Sequence, residues 1–129
     1  MISRLSRRPR LAAFVVLLAA VFFAAQRAEA HAIIVSSKPP ANSQVPEGPV
    51  DMLLQYNSRI DLDHSRVSLV DPAGKVTALK AEAGVTQGSL TAQGKVDAPG
   101  KWIIRWQVLS LDGHITRGEI PFQVVAPTP

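Results

Sequence analysis

Two histidines and one aspartate carry the chemistry that this chain of 129 residues offers. His31 follows Ala28-Glu29-Ala30, and small residues at 28 and 30 are what a signal peptidase reads. Cleavage after Ala30 would make His31 the first residue, its α-amine and Nδ1 closing a six-membered ring around a metal. The second nitrogen of such a chelate binds at high effective concentration. The amine must lose a proton, and an ordinary pKa of about 7.7–8.0 makes that loss inexpensive at neutral pH. Asp112 and His114 stand two apart in Asp112-Gly113-His114, so in extended geometry they project to one side. Asp-Gly is also the commonest hairpin signal and needs no metal to account for it. Together, an amine, two imidazoles and a carboxylate make a set of three nitrogens and one oxygen, which suits Cu(II) in tetragonal geometry. Ni(II) would imitate it and Zn(II) would take the same atoms in a tetrahedron, so the ligands alone leave the metal open.

The remaining candidates are weaker. His64, in Asp61-Leu62-Asp63-His64, sits among acids and reads as a solvated surface histidine on a polar connection. Asp61 and Asp63 match no metal cage. Beyond Met1 the only methionine is Met52, flanked by Leu53 and Leu54 and read as core. There is no cysteine, so neither a soft Cu(I) site nor a thiolate nucleophile can be built.

Charge and hydropathy divide the chain at residue 31. The formal net charge of +4 comes from the leader: Arg4, Arg7, Arg8, Arg10 and Arg27 precede His31. From His31 onward nine Lys and Arg face nine Asp and Glu. A neutral body implies no polyanion partner such as a nucleic acid. MISRLSRRPR is a positive n-region and Leu11 to Ala25 an apolar run, short for a bilayer span of about 20 residues. Residues 1–30 are therefore expected to be a cleaved export signal, an uncleaved anchor being the alternative. SRRPRL resembles the twin-arginine signal, but Arg10 stands where that signal prefers a large apolar residue, and the sequence does not decide between that route and the general secretory one. Residues 31–126 are expected to form one domain, with 127–129 as a tail.

The elements that must position these side chains are short strands. AIIVSS, VDMLLQYN, RVSLV, KVTAL, SLTAQGKV, GKWIIRWQVLS and HITRGEIPFQVV are separated by Pro, Gly, Asn and Asp. KPPANSQVPEGP reads as a loop and SRIDLDH as a polar connection, while Asp71-Pro-Ala-Gly74 marks a hairpin turn. Such spacing describes an all-β fold, a small antiparallel Greek-key barrel or sandwich. Trp102, Ile104 and Trp106 share one strand face and are expected in the core.

The residues resemble the CopC family of periplasmic copper-binding proteins across the chain after residue 30. The likeness begins with His31-Ala32 and continues through SSKPPANSQVPEGPVDMLLQYNSRI. It is sharpest in WQVLSLDGHITRGEIPFQVV, where Ser-x-Asp-Gly-His is followed by Gly-x-x-x-Phe-x-Val. The resemblance implies an immunoglobulin or cupredoxin-like β fold and a Cu(II) site of His31, Asp112 and His114. It also implies copper handling in the periplasm by a monomer, with partners that include a CopD-type inner-membrane protein. The Met-rich Cu(I) segment of some members is absent, which indicates a Cu(II)-only type. Asn57 and Ser58 stand where members can carry an acid after the aromatic of an L-x-F strand, so no extra carboxylate ligand is expected there. Asn42 and Ser43 replace a common glycine turn, with no expected effect on metal.

Two other functions compete. A copper oxidase with a histidine-brace-like site would need an open coordination position, which Asp112 would fill, and the sequence offers no flat aromatic surface for a polymer substrate. A metal-free sandwich that binds a partner through a strand edge would make both motifs coincidental. The expectation is a copper carrier and not an enzyme.

Overall fold

The computed structural model describes residues 13–17 and 32–127. The chain divides into two units, Met1–Ala30 and His31–Pro129. Residues 13–17 are helical, and among the described residues no helix is long and apolar enough to cross a membrane. Most of the expected export signal, its cleavage point and His31 lie outside the described residues.

The second unit is a two-sheet sandwich. Its strands are β1 (Ile34–Lys38), β2 (Gln44–Pro46), β3 (Gly48–Tyr56), β4 (Ile60–Val70), β5 (Val76–Leu79), β6 (Glu82–Ala83), β7 (Ser89–Val96), β8 (Gly100–Ser110) and β9 (Ile115–Val125). One sheet has the order β1-β3-β7-β6 and the other β2-β9-β8-β4-β5. Neighbours are antiparallel except β2, which runs parallel to β9.

Period-two alternation builds the core. Along β8, Trp102, Ile104, Trp106 and Val108 are buried while Lys101 and Arg105 are exposed. Met52, Leu54 and Tyr56 of β3, Leu90 and Val96 of β7, and Ile120, Phe122 and Val124 of β9 meet them. Met52 is 2% exposed, the place of a packing residue. The Trp102 indole donates to the Ala98 carbonyl at 2.8 Å.

The Gly-x-x-x-Phe-x-Val segment has a packing origin. Gly118 lies opposite Trp106 across the β8–β9 ladder, and a Cβ on Gly118 would sit 2.4 Å from the Trp106 ring. Only glycine lets the indole lie there, with Tyr56 edge-on to it at 5.2 Å. Phe122 and Val124 then fill the core on the same face of β9.

Two sequence expectations change. SRIDLDH is not a connection: β4 begins at Ile60 and runs through it, its pairing with β8 shifting between Asp61 and Arg66. Ile60 and Leu62 pack on the core. The Ser65 hydroxyl donates to the Asp61 carbonyl at 2.6 Å and accepts from the Leu109 amide at 3.4 Å, bridging the irregularity. The Pro-rich loop contains strand β2, because Val45 packs against the core and its neighbours pair with β9. Asn42 in that loop has φ 62°, a left-handed conformation that asparagine tolerates better than most residues. Short β6 also forms, pairing with β7.

Candidate metal centre

The β8–β9 hairpin is the longest ladder in the molecule, pairing Gly100 with Val124 through to Leu109 with Ile115. It delivers Asp112 and His114 to its tip. The turn closes through the Gly113 amide on the Ser110 carbonyl and the Ser110 amide on the His114 carbonyl, both 2.9 Å. Gly113 has φ 91° with open space around it, so the backbone and not crowding calls for glycine.

Asp112 and His114 come together as their spacing implied. Asp112 Oδ2 lies 3.2 Å from His114 Nδ1, both side chains about two-fifths exposed. Asp112 Oδ1 accepts from the Ser110 hydroxyl and, at 3.3 Å, from the His114 amide. The His114 carbonyl lies 3.0 Å from the same hydroxyl. The Ser110 hydroxyl, ahead of the contacts with His114, holds the Asp112 carboxyl below its ordinary pKa against a desolvation cost acting the other way. The carboxylate is thus charged and aimed before any cation arrives. First-row divalent ions with ligand bonds of about 2.0–2.2 Å hold adjacent ligand atoms roughly 2.8–3.1 Å apart at right angles. The observed separation of 3.2 Å is close to that spacing, so a metal could replace the contact between them with little rearrangement.

Among the described residues no three His, Cys, Asp or Glu side chains form a metal-holding group. Asp112 and His114 supply two of the three expected ligands, and His31 is outside those residues. The chain directly after it is firmly held. Ala32 is 1% exposed and its carbonyl accepts from Thr116 Oγ1 at 2.9 Å. Asn57 grips the next residue from the other sheet: its Oδ1 accepts from the Ile33 amide at 2.8 Å, and its own amide donates to the Ile33 carbonyl at 2.9 Å. Asn57 supplies no carboxylate, and its side chain serves as a clamp. Ser110, Thr116 and Asn57 were not singled out for these roles from sequence. The Ser-x-Asp pattern carried a hint for Ser110, whereas the other two contacts join residues far apart in the chain.

His64 remains exposed at 69%, its Nδ1 3.0 Å from Asp61 Oδ2. It is a surface histidine as expected, although it sits within β4 and not on a loop.

Comparison with known proteins agrees with this architecture. Residues 34–125 match the CopC domain. The structure of CopC from Methylosinus trichosporium OB3b is similar with a TM-score of 0.69 and 27% identity, over 77% of this chain and 98% of that one. PcoC, a methionine-rich copper resistance protein from Escherichia coli, shares the fold with a TM-score of 0.59 and 22% identity, over 74% of this chain and all of that one. Protein YobA of Escherichia coli K12 is 28% identical over 98 residues, which are 74% of this chain and 79% of that protein. With the domain match spanning β1 to the end of β9, and a solved relative similar over nearly all of its own length, the chain belongs to the CopC family.

Proposed function

We propose that this protein binds Cu(II) in the periplasm as cargo, carrying or sequestering it, after removal of residues 1–30. The α-amine and Nδ1 of His31, the His114 imidazole and the Asp112 carboxylate would be the ligands. The observation that carries this reading is the anchoring of Ala32. Its carbonyl is bonded to Thr116, two residues beyond His114 on β9. Ala32, the residue that directly follows the expected ligand in the chain, is thereby fixed beside the strand that begins one residue after His114. Membership of the CopC family supports copper as the ion, as does the copper resistance protein that shares the fold. The family consists of binding proteins and not enzymes, and a filled three-nitrogen, one-oxygen set suits a carrier because it leaves no position for a reacting ligand. A CopD-type membrane protein is the expected exchange partner.

The test compares two forms of the protein, one starting at His31 and one with a single glycine ahead of it. Both are titrated with Cu(II), followed by tryptophan fluorescence and electron paramagnetic resonance, with Zn(II) as competitor. The expected result is one equivalent bound tightly, with a three-nitrogen spectrum, in the first form only. Equal binding by both forms would overturn the ligand set, and displacement by stoichiometric Zn(II) would overturn Cu(II) as the cargo.

A further inference from the structure

The outer face of the five-stranded sheet carries a charge imbalance that the neutral composition hides. Two rows cross β4, β8 and β9: Arg66, Gln107 and Arg117 form one, and Ser68, Arg105 and Glu119 the next. These six residues line a groove of about 500 Å³. Three arginines there face one glutamate. On the other sheet a groove of about 580 Å³ is lined by Lys38, Asp51, Lys80 and Glu82, whose charges cancel, and Lys80 pairs with Glu82 at 3.6 Å.

The arginines are partly oriented in advance. Arg117 Nε donates to Gln107 Oε1 at 2.7 Å and Arg105 Nε to Glu119 Oε1 at 3.2 Å. Each hydrogen bond uses the inner nitrogen and none uses a terminal one among the described residues, and there the Arg66 guanidinium makes neither a hydrogen bond nor an ion pair. Adjacent strands are about 4.8 Å apart, so Arg66 and Arg117 stand about 10 Å apart at the backbone with Gln107 between them. Arg105 is one row on and one strand across from each, roughly 8–9 Å away at the backbone, and long guanidinium arms can close the small difference from the roughly 7 Å between alternate side chains of an extended peptide.

We propose that this groove receives an acidic segment of a protein partner, with carboxylates two residues apart engaging the arginine forks. Guanidinium pairs with carboxylate in planar, bidentate fashion. Glu119 favours a peptide over an anionic membrane surface, since it would repel lipid phosphates but can accept a backbone N–H from an extended chain. The proposal is independent of the candidate copper ligands Asp112 and His114, which lie at the tip of the β8–β9 hairpin.

A fluorescein-labelled hexaglutamate peptide, added to the protein at low ionic strength and followed by fluorescence anisotropy, tests it. The protein is expected to bind this peptide and not hexalysine, and Arg66→Gln with Arg117→Gln to weaken binding roughly tenfold or more. Lys38→Gln with Lys80→Gln on the opposite sheet should leave it unchanged. Arg66→Gln alone removes a side chain with no internal bond, so its weaker binding would be read on an undisturbed fold. Equal loss from both pairs of substitutions, no loss from the arginine pair, or arginine-dependent binding to phosphatidylglycerol vesicles without peptide binding would each overturn the proposal.

Discussion

Two turns of this molecule contain an aspartate and a left-handed glycine, and they spend their aspartates differently. At Asp71-Pro-Ala-Gly74, between β4 and β5, Oδ1 accepts from the Ala73 and Lys75 amides at 2.9 and 2.8 Å. That carboxylate is consumed by its own backbone, as an Asx turn requires. At the β8–β9 turn Asp112 instead takes the Ser110 hydroxyl on one oxygen and faces the His114 ring with the other. The difference lies in the neighbours. Ser110 ends β8 buried at 3% exposure, so its hydroxyl can fix a carboxylate from below, and His114 returns two residues later. The His114 amide also reaches Oδ1 at 3.3 Å, so an aspartate becomes a candidate ligand when one oxygen is fixed and the other is left facing a second donor group.

The largest expected effect breaks this contrast directly. Asp112→Ala or His114→Ala should lower Cu(II) affinity by roughly 100-fold or more, since loss of an outer-shell partner alone costs about 10–100-fold. Asp71→Ala should leave it unchanged while lowering the thermal midpoint, and isothermal titration beside a melting curve reads both. Next, Gly118→Ala should destabilise the fold by about 1–3 kcal/mol, because the methyl must displace the Trp106 ring. Urea unfolding measures this, and an unchanged midpoint would mean that the indole does not lie against Gly118.

A matched pair sharpens the comparison further. Gly74 and Gly113 have φ of 88° and 91°, each with open space around it. Gly74→Ala and Gly113→Ala should each cost about 1 kcal/mol in stability from the left-handed backbone, with only Gly113→Ala also weakening metal binding. The smallest effect belongs to Ser110→Ala. The Asp112 pKa is held down in the folded protein, so the stability from its charged form is present above the ordinary carboxylate pKa. That stability is lost as pH falls through the lowered value. Removing the hydroxyl should move the Asp112 titration, followed by carboxyl NMR in metal-free protein, to higher pH, with a severalfold loss of Cu(II) affinity.

What the sequence disclosed follows the range of each interaction. β7 and β8 have the bounds of SLTAQGKV and GKWIIRWQVLS, because alternation and flanking glycines are local signals. The Asp71 turn is equally local. β2 escaped because three residues around Val45 gain strand form only by pairing with β9, some eighty positions away. The start of β4 escaped because Asp61, Asp63 and His64 look like loop until Ser65 is seen bridging to Leu109. At the candidate site, Asp112 and His114 were legible as a pair, while the clamps by Asn57 and Thr116 were not. Net neutrality was read correctly as a total and concealed three arginines that only cross-strand register brings together.

The strand order has a consequence for solubility. The outermost strands, β1, β6, β2 and β5, have five, two, three and four residues, too short to template a second copy over any length. Where β4 extends past β5 it carries the irregularity with Asp61, Asp63 and Arg66. Where β9 extends past β2 it carries Arg117, Glu119 and Pro121, the last with no N–H to offer. Another chain arriving at the free part of β4 or of β9 meets charge, a kink or a missing donor before it can extend the five-stranded ladder.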